Sequence, residues 1–277
     1  MATSGPDGRR RDHRAVTSRA LDSSGPVLVL GGTAEGRELA TALAVAGRAV
    51  ISSLAGRVAD PRLPAGEVRS GGFGGVHGLA AFIAERQVSA VVDATHPFAA
   101  RITGNAVAAC DVTGTPLLML RRPAWTPSPE DDWTTVPDLA AAAGAVARRD
   151  RETAVLLTVG RQGLEAFAGA PQRFWLRAVD PPTGPRPARC ELILARGPFS
   201  VDGELELLQR LAIDLLVTKN SGGPMTSAKL TAARRLGLPV LMVDRPALPA
   251  SAGGRRFDVV PDVPAALAWL THRHSRR

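Results

Sequence analysis

The chain has 277 residues, 45% of them hydrophobic and 22% charged, which suits one large or two medium domains and excludes a disordered or membrane-embedded protein. Its 34 lysines and arginines against 26 acidic residues leave a net charge of +8 and an isoelectric point near 11, a balance that invites nucleic acid as a partner. Residues 1–24 hold five arginines against three aspartates and the last five residues add three arginines, so the body carries only +3, and with few aromatic residues nucleic-acid binding stays a minor alternative.

Residues 1–24 lack an apolar core and are expected to be a disordered basic tail. No hydrophobic run follows their arginines, so they do not read as a secretory signal. No stretch of 18 apolar residues occurs, so no membrane span is expected. Cys110 and Cys190 need not pair, and the five histidines lack ligand spacing. A cytoplasmic protein without a metal site is the economical expectation.

The body begins with the run Val27-Leu28-Val29-Leu30, which stops at Gly31-Gly32. A helix is predicted over 35–46, closed by Gly47, then a strand over 49–53. After a glycine-rich stretch from 71 to 78 come a helix over 79–86, a strand over 90–95, a helix near 98–110 and a strand over 116–120. Continuous apolar strands alternating with helices predict a parallel sheet covered on both faces. The proline-rich segment 122–135 is taken as the crossing between domains. The pattern then restarts, with strands predicted at 154–159, 173–179, 191–195, 214–218 and 239–244. Helices fall near 138–148, 162–168, 203–212, 226–236 and 263–272. The expected fold is α/β: two domains of mainly parallel sheet, 25–125 and 126–277, with a ligand cleft between them.

The first strand–helix turn reads Gly31-Gly32-Thr33-Ala34-Glu35-Gly36-Arg37. It matches a dinucleotide-binding loop with Thr33 in place of the middle glycine, and its amides and the helix N-terminus would face a phosphate. A tight turn in any α/β domain also favours glycine. The second strand ends in Ser52 and Ser53, with Arg57 beyond, where a site for NAD usually places an acid. Hydroxyls and a guanidinium suit a 2′-phosphate, so the expected cofactor is NADPH; a solvated loop arginine is the plainer alternative.

Asp93-Ala94-Thr95-His96 ends another buried strand, where open α/β sheets place ligands. Asp93 is expected to cap a helix or meet a ligand. Thr95 and Arg101 are candidate substrate contacts, and His96 is a candidate proton donor, although a lone histidine is more often structural. Thr218-Lys219-Asn220-Ser221-Gly222-Gly223 opens a helix in the second half, and Lys219 and Lys229 are the two lysines of a chain with 32 arginines. A compact ammonium is therefore expected to have work there, Lys219 as a second candidate donor. Arg122, Arg161, Arg196, Ser200, Ser221 and Gly222 complete the predicted substrate rim.

These motifs resemble the precorrin-6A reductase (cobalt-precorrin-6A reductase) family of cobalamin biosynthesis. The likeness rests on Gly-Gly-Thr-x-Glu-Gly-Arg at 31–37, Ser-Leu-Ala-Gly-Arg at 53–57 and Asp-Ala-Thr-His-Pro-Phe-Ala at 93–99. It continues through Arg-x-x-Trp at 122–125, Gly-Pro-Phe-Ser at 197–200, Thr-Lys-Asn-Ser-Gly-Gly at 218–223 and the run 229–246. It covers about 25–260. The resemblance implies two Rossmann-like domains and NADPH-dependent reduction of one double bond of the precorrin-6A macrocycle to give precorrin-6B, with the Gly31–Gly36 loop and Ser53–Arg57 at the cofactor. It further implies a tetrapyrrole partner rich in acetate and propionate carboxylates, which a rim of arginines would hold, and neighbouring enzymes of the pathway as further partners. The alternatives are an NADPH-dependent reductase of another anionic small molecule, or a non-catalytic tetrapyrrole- or nucleotide-binding protein. A reductase of sugar-nucleotide type would need a tyrosine relay, and the chain has no tyrosine.

Overall fold

Four consecutive apolar residues with no polar alternation have no stable place on a half-exposed sheet, so Val27–Leu30 forms a strand (β1) buried on both faces. In the computed structural model, which describes residues 25–55, 63–161, 163–250, 253–254 and 256–274, β1 is followed by α1 (Ala34–Val45), β2 (Val50–Leu54) and β3 (Glu67–Ser70). Then come α2 (Val76–Glu85), β4 (Ala90–Asp93), α3 (Ala100–Thr113) and β5 (Leu117–Leu120). The second half runs β6 (Trp133–Val136), α4 (Leu139–Ala147), β7 (Ala154–Thr158), β8 (Arg173–Ala178) and β9 (Cys190–Leu194). It continues with α5 (Val201–Arg210), β10 (Leu215–Lys219), α6 (Ala228–Arg235) and β11 (Val240–Val243), and ends with β12 (Asp258–Val260) and α7 (Val263–His274).

The strands form two six-stranded sheets, β12-β5-β4-β1-β2-β3 and β6-β11-β10-β7-β8-β9. Every pairing in both is parallel. Each sheet winds outward from a central strand, first one way and then the other, which is the doubly wound Rossmann-like order. Apolar clusters fill both faces of each sheet. The reversals of strand order fall at β1/β4 and β7/β10, so the loops after these four strands border two crevices at the carboxyl edges, where such sheets bind ligands.

The second domain does not run to the C-terminus as expected. After β11 the chain crosses back, β12 pairs with β5, and Val263, Ala266 and Leu270 of α7 join Val27, Val29, Val92 and Leu118 in one core cluster. The reason is burial: α1 alone leaves that face of the first sheet partly bare, and α7 covers the remainder. Strands β3, β6 and β12 are not foreseen by the sequence pattern because each is a short, partly exposed sheet edge. The helix expected near 162–168 is a single 3₁₀ turn, Leu164–Phe167. The tail 1–24 and Arg57 lie outside the described residues. Among the described residues, no helix is long and apolar enough to cross a membrane, and no group of three or more His, Cys, Asp or Glu is placed to hold a metal.

Candidate active site

The turn after β1 is built by Thr33. Its hydroxyl accepts from the Gly36 amide at 3.1 Å and donates to the Ala94 carbonyl at 2.7 Å, so it caps α1 and ties the turn to the end of β4. Both of its bonds are internal. Gly36 is needed for close approach, since a Cβ there would stand 3.3 Å from that of Ala94 and 3.4 Å from the Gly31 Cα. Gly32, at φ +116°, has nothing within 4 Å of where a side chain would begin. The space beside Gly32 is therefore open at the start of α1, where first-turn amides have no intrahelical partner. Glu35, expected at the cofactor, instead pairs with Arg122 at 2.9 Å.

Ser52 and Ser53 are adjacent near the end of β2 and point to opposite faces of the sheet. Ser52 is buried with an unpartnered Oγ. Ser53 accepts from the Arg69 guanidinium at 2.9 Å. Arg69 stands on β3 and also donates to the Gly71 and Gly72 carbonyls, with Phe73 stacked 3.8 Å away. It is a cation at the β2 terminus that the sequence pattern missed, because β3 itself was missed.

The loop after β4 is organised by Asp93. Its Oδ1 accepts from the Thr95 amide and hydroxyl, and its Oδ2 from the Thr103 hydroxyl. Asp93 and Thr95 therefore shape the loop after β4, and the Thr103 hydroxyl ties that loop to α3. His96 reaches across to the other domain. Its Nδ1 accepts from the Phe98 amide, which leaves a hydrogen on Nε2 to meet Ser221 Oγ at 3.1 Å, and Ser221 in turn donates to the Lys219 carbonyl. His96 keeps open surface toward the cleft, yet burial among the cleft walls and the cations Arg122, Lys219, Arg245 and Lys229 push its pKa down to about 3. With Nδ1 accepting from Phe98 and Nε2 on Ser221, His96 positions the Ser221–Lys219 loop. Arg101, one residue into α3, is exposed.

Arg122 is also committed internally. Besides Glu35, its Nε donates to the Ser221 and Gly222 carbonyls. Arg245 donates to the carbonyls of Asn220, Arg122 and Pro123, and Asn220 exchanges two bonds with the Trp125 backbone. These arginines clamp the two inter-domain crossings to the loop after β10. Gly222, at φ +69°, has no room for a side chain, since a Cβ would lie 2.0 Å from the Pro123 carbonyl oxygen.

Lys219 ends β10 with its ammonium 5.3 Å from the Phe98 ring centroid, and burial lowers its pKa to about 8. Lys229, 3% exposed, is enclosed: it donates to the Thr226 carbonyl and lies 4.8 Å from the Trp125 ring. Arg161 pairs with Asp180 at 3.6 Å, Arg196 is exposed, and both follow carboxyl ends of strands in the second sheet. Ser200 is the N-cap of α5, accepting from Gly203.

A family model described as precorrin-6x reductase CbiJ/CobK matches residues 26–271. The chain is 53% identical to a precorrin-6A reductase of Rhodococcus erythropolis, over 88% of this chain and 96% of that one. It is 47% identical to a precorrin-6A reductase of Mycobacterium tuberculosis, over 90% and 99%. Identity to a cobalt-precorrin-6A reductase of Priestia megaterium is 29%, over 79% and 90%. A solved structure titled CobK precorrin-6A reductase superposes with a TM-score of 0.81 at 46% identity, covering 90% of this chain and 97% of that one.

Proposed function

The chain belongs to the precorrin-6x reductase CbiJ/CobK family, and from that membership we infer that it is a precorrin-6A reductase, an oxidoreductase of cobalamin biosynthesis. We propose NADPH as its nicotinamide cofactor and cobalt-free precorrin-6A as its substrate. The observation that carries the cofactor reading is the end of β2: serines and the Arg69 guanidinium stand where an acid would repel a 2′-phosphate. The wide gap between identity to the cobalt-free and to the cobalt enzymes supports the substrate.

The residues fit a dinucleotide. The open space at Gly32 and the α1 first-turn amides that Thr33 does not cap would take the pyrophosphate, while Ser53, Arg69 and Arg57 would take the ribose phosphate. When bound, NADPH supplies the hydride. The chain's own work is to hold the macrocycle edge in the cleft and to deliver a proton beside the reduced carbon. Lys219 is the group suited to that delivery, because an ammonium with a pKa near 8 is still charged at neutral pH yet releases its proton readily. Arg101, Arg161 and Arg196 would meet the carboxylates of the substrate at the rim.

The test follows NADPH absorbance with precorrin-6A and its cobalt form. Oxidation of NADPH with the cobalt-free macrocycle, weak use of NADH, and loss of that preference in Arg57→Ala or Arg69→Ala are expected. No turnover with either macrocycle overturns the reading.

A further inference from the structure

Beside His96 lies a cavity of about 130 Å³, several times the space one water needs. The end of β4, the first turn of α3, Met119–Arg121 at the end of β5 and the returning segment Pro246–Pro249 enclose it. Most of this wall is apolar: Pro97, Leu120, Ala247 and Leu248 offer no polar side chain. Its two charged members are unequal. Asp93 is saturated by Thr95 and Thr103. Among the described residues the Arg121 side chain makes one hydrogen bond, from Nη2 to the Pro246 carbonyl at 3.1 Å, although a guanidinium carries five donors.

Two further observations give the cavity its sign. No side chain caps α3, so the first-turn amide of Ala100 on the wall has no partner within the helix. Arg121, Arg122 and Arg245 also crowd together. Burial and the other two guanidiniums push Arg245 down to about 10, and burial lowers Arg121 although the Asp93 carboxylate on the same wall acts the other way. An apolar socket with a half-satisfied guanidinium at its end fits a carboxylate on a short alkyl stem.

We propose that this cavity takes one carboxylate side arm of the macrocycle, with Arg121 as its ionic partner, and so fixes which edge of the ring lies against Lys219. The proposal rests on the precorrin reading. The socket shares His96 with the cleft, so an arm held in it anchors a substrate whose ring occupies the cleft. Arg121 is a specificity-determining residue for the reaction.

The experiment measures precorrin-6A turnover and direct precorrin-6A binding for the wild type, Arg121→Gln, Arg121→Lys and Ala247→Phe. NADPH affinity reports on folding. Arg121→Gln is expected to raise KM and Kd for precorrin-6A roughly 10- to 100-fold with a smaller change in kcat, as for loss of a charge-assisted bond. Arg121→Lys should recover part of this, and Ala247→Phe, which plugs the socket and leaves Arg121, should match Arg121→Gln. NADPH affinity should not move. If Arg121→Gln fails to bind NADPH, Ala247→Phe decides. Precorrin-6A affinity within about twofold of wild type in a folded Arg121→Gln or Ala247→Phe overturns the proposal while the enzyme reading stands. A wild type that binds precorrin-6A without turnover overturns the enzyme reading alone, and one that does neither overturns both.

Discussion

Lys219 and His96 stand on opposite walls of one cleft, and their surroundings move both toward the neutral form by different amounts. Burial and the surrounding cations hold the imidazole far below its ordinary pKa, at about 3, so it is expected to contribute no step to an activity profile near neutrality. The ammonium is present below about pH 8 and is lost as pH rises through that value. With saturating precorrin-6A and NADPH, kcat is therefore expected to be level between pH 6 and 7.5 and to fall about tenfold per unit well above 8. Lys219→Met should lose roughly 100-fold and the alkaline limb with it, and Lys219→Arg should not restore the rate, because a guanidinium does not release its proton. A level profile to pH 9.5 in the wild type assigns the proton elsewhere. The two lysines were conspicuous in an arginine-rich sequence, but their neighbourhood did not separate them. Only packing shows that Lys229 is sealed against Trp125 while Lys219 faces the cleft.

At the scale of the element, the unit β1–turn–α1 was legible because its information is local. An apolar run, a glycine turn, a threonine cap and a helical repeat follow one another within about one element's length. What was not legible is that Thr33 spends its hydroxyl on Ala94, a residue 61 positions away. Gly36 has the same dependence, since its small size matters only because β4 comes close. Gly36→Val should push α1 off the sheet and weaken NADPH binding by at least about tenfold, with a lower melting temperature, through overpacking of a tight contact. Titration and thermal unfolding check both, and unchanged affinity would remove the turn from the cofactor site. Strands β3, β6 and β12 lack any such local signature. Their residues alternate between solvent and neighbour, and their strand character comes from the pairing partner. Arg69 was hidden for that reason.

At the scale of the molecule, the chain crosses between domains twice, and Arg121, Arg122 and Arg245 tie the crossings together by hydrogen bonds to carbonyls on both. The returning segment closes the first sheet. A chain ending at residue 256 should expose the β1, β4 and β5 face that α7 covers. Hydrogen exchange is expected to show lost protection in those strands and retained protection in β7, β10 and β11, with NADPH binding lost; uniform protection in both sheets would show that α7 is dispensable. By itself the sequence determined the α/β class, the two sheets, the loops that face the cleft and the family, since apolar runs, glycine turns and motif order are properties of neighbouring residues. The tertiary structure decided which polar groups are spent inside the protein and which remain for a ligand. It shows Thr33, Asp93, Arg122 and Ser200 engaged in bonds within the protein and places Arg69 beside Ser53 and Arg121 on the cavity wall. Hydrogen bonds between residues about 60 to 125 positions apart in sequence, such as those of Thr33, Arg121 and His96, make that division, and no local pattern encodes them.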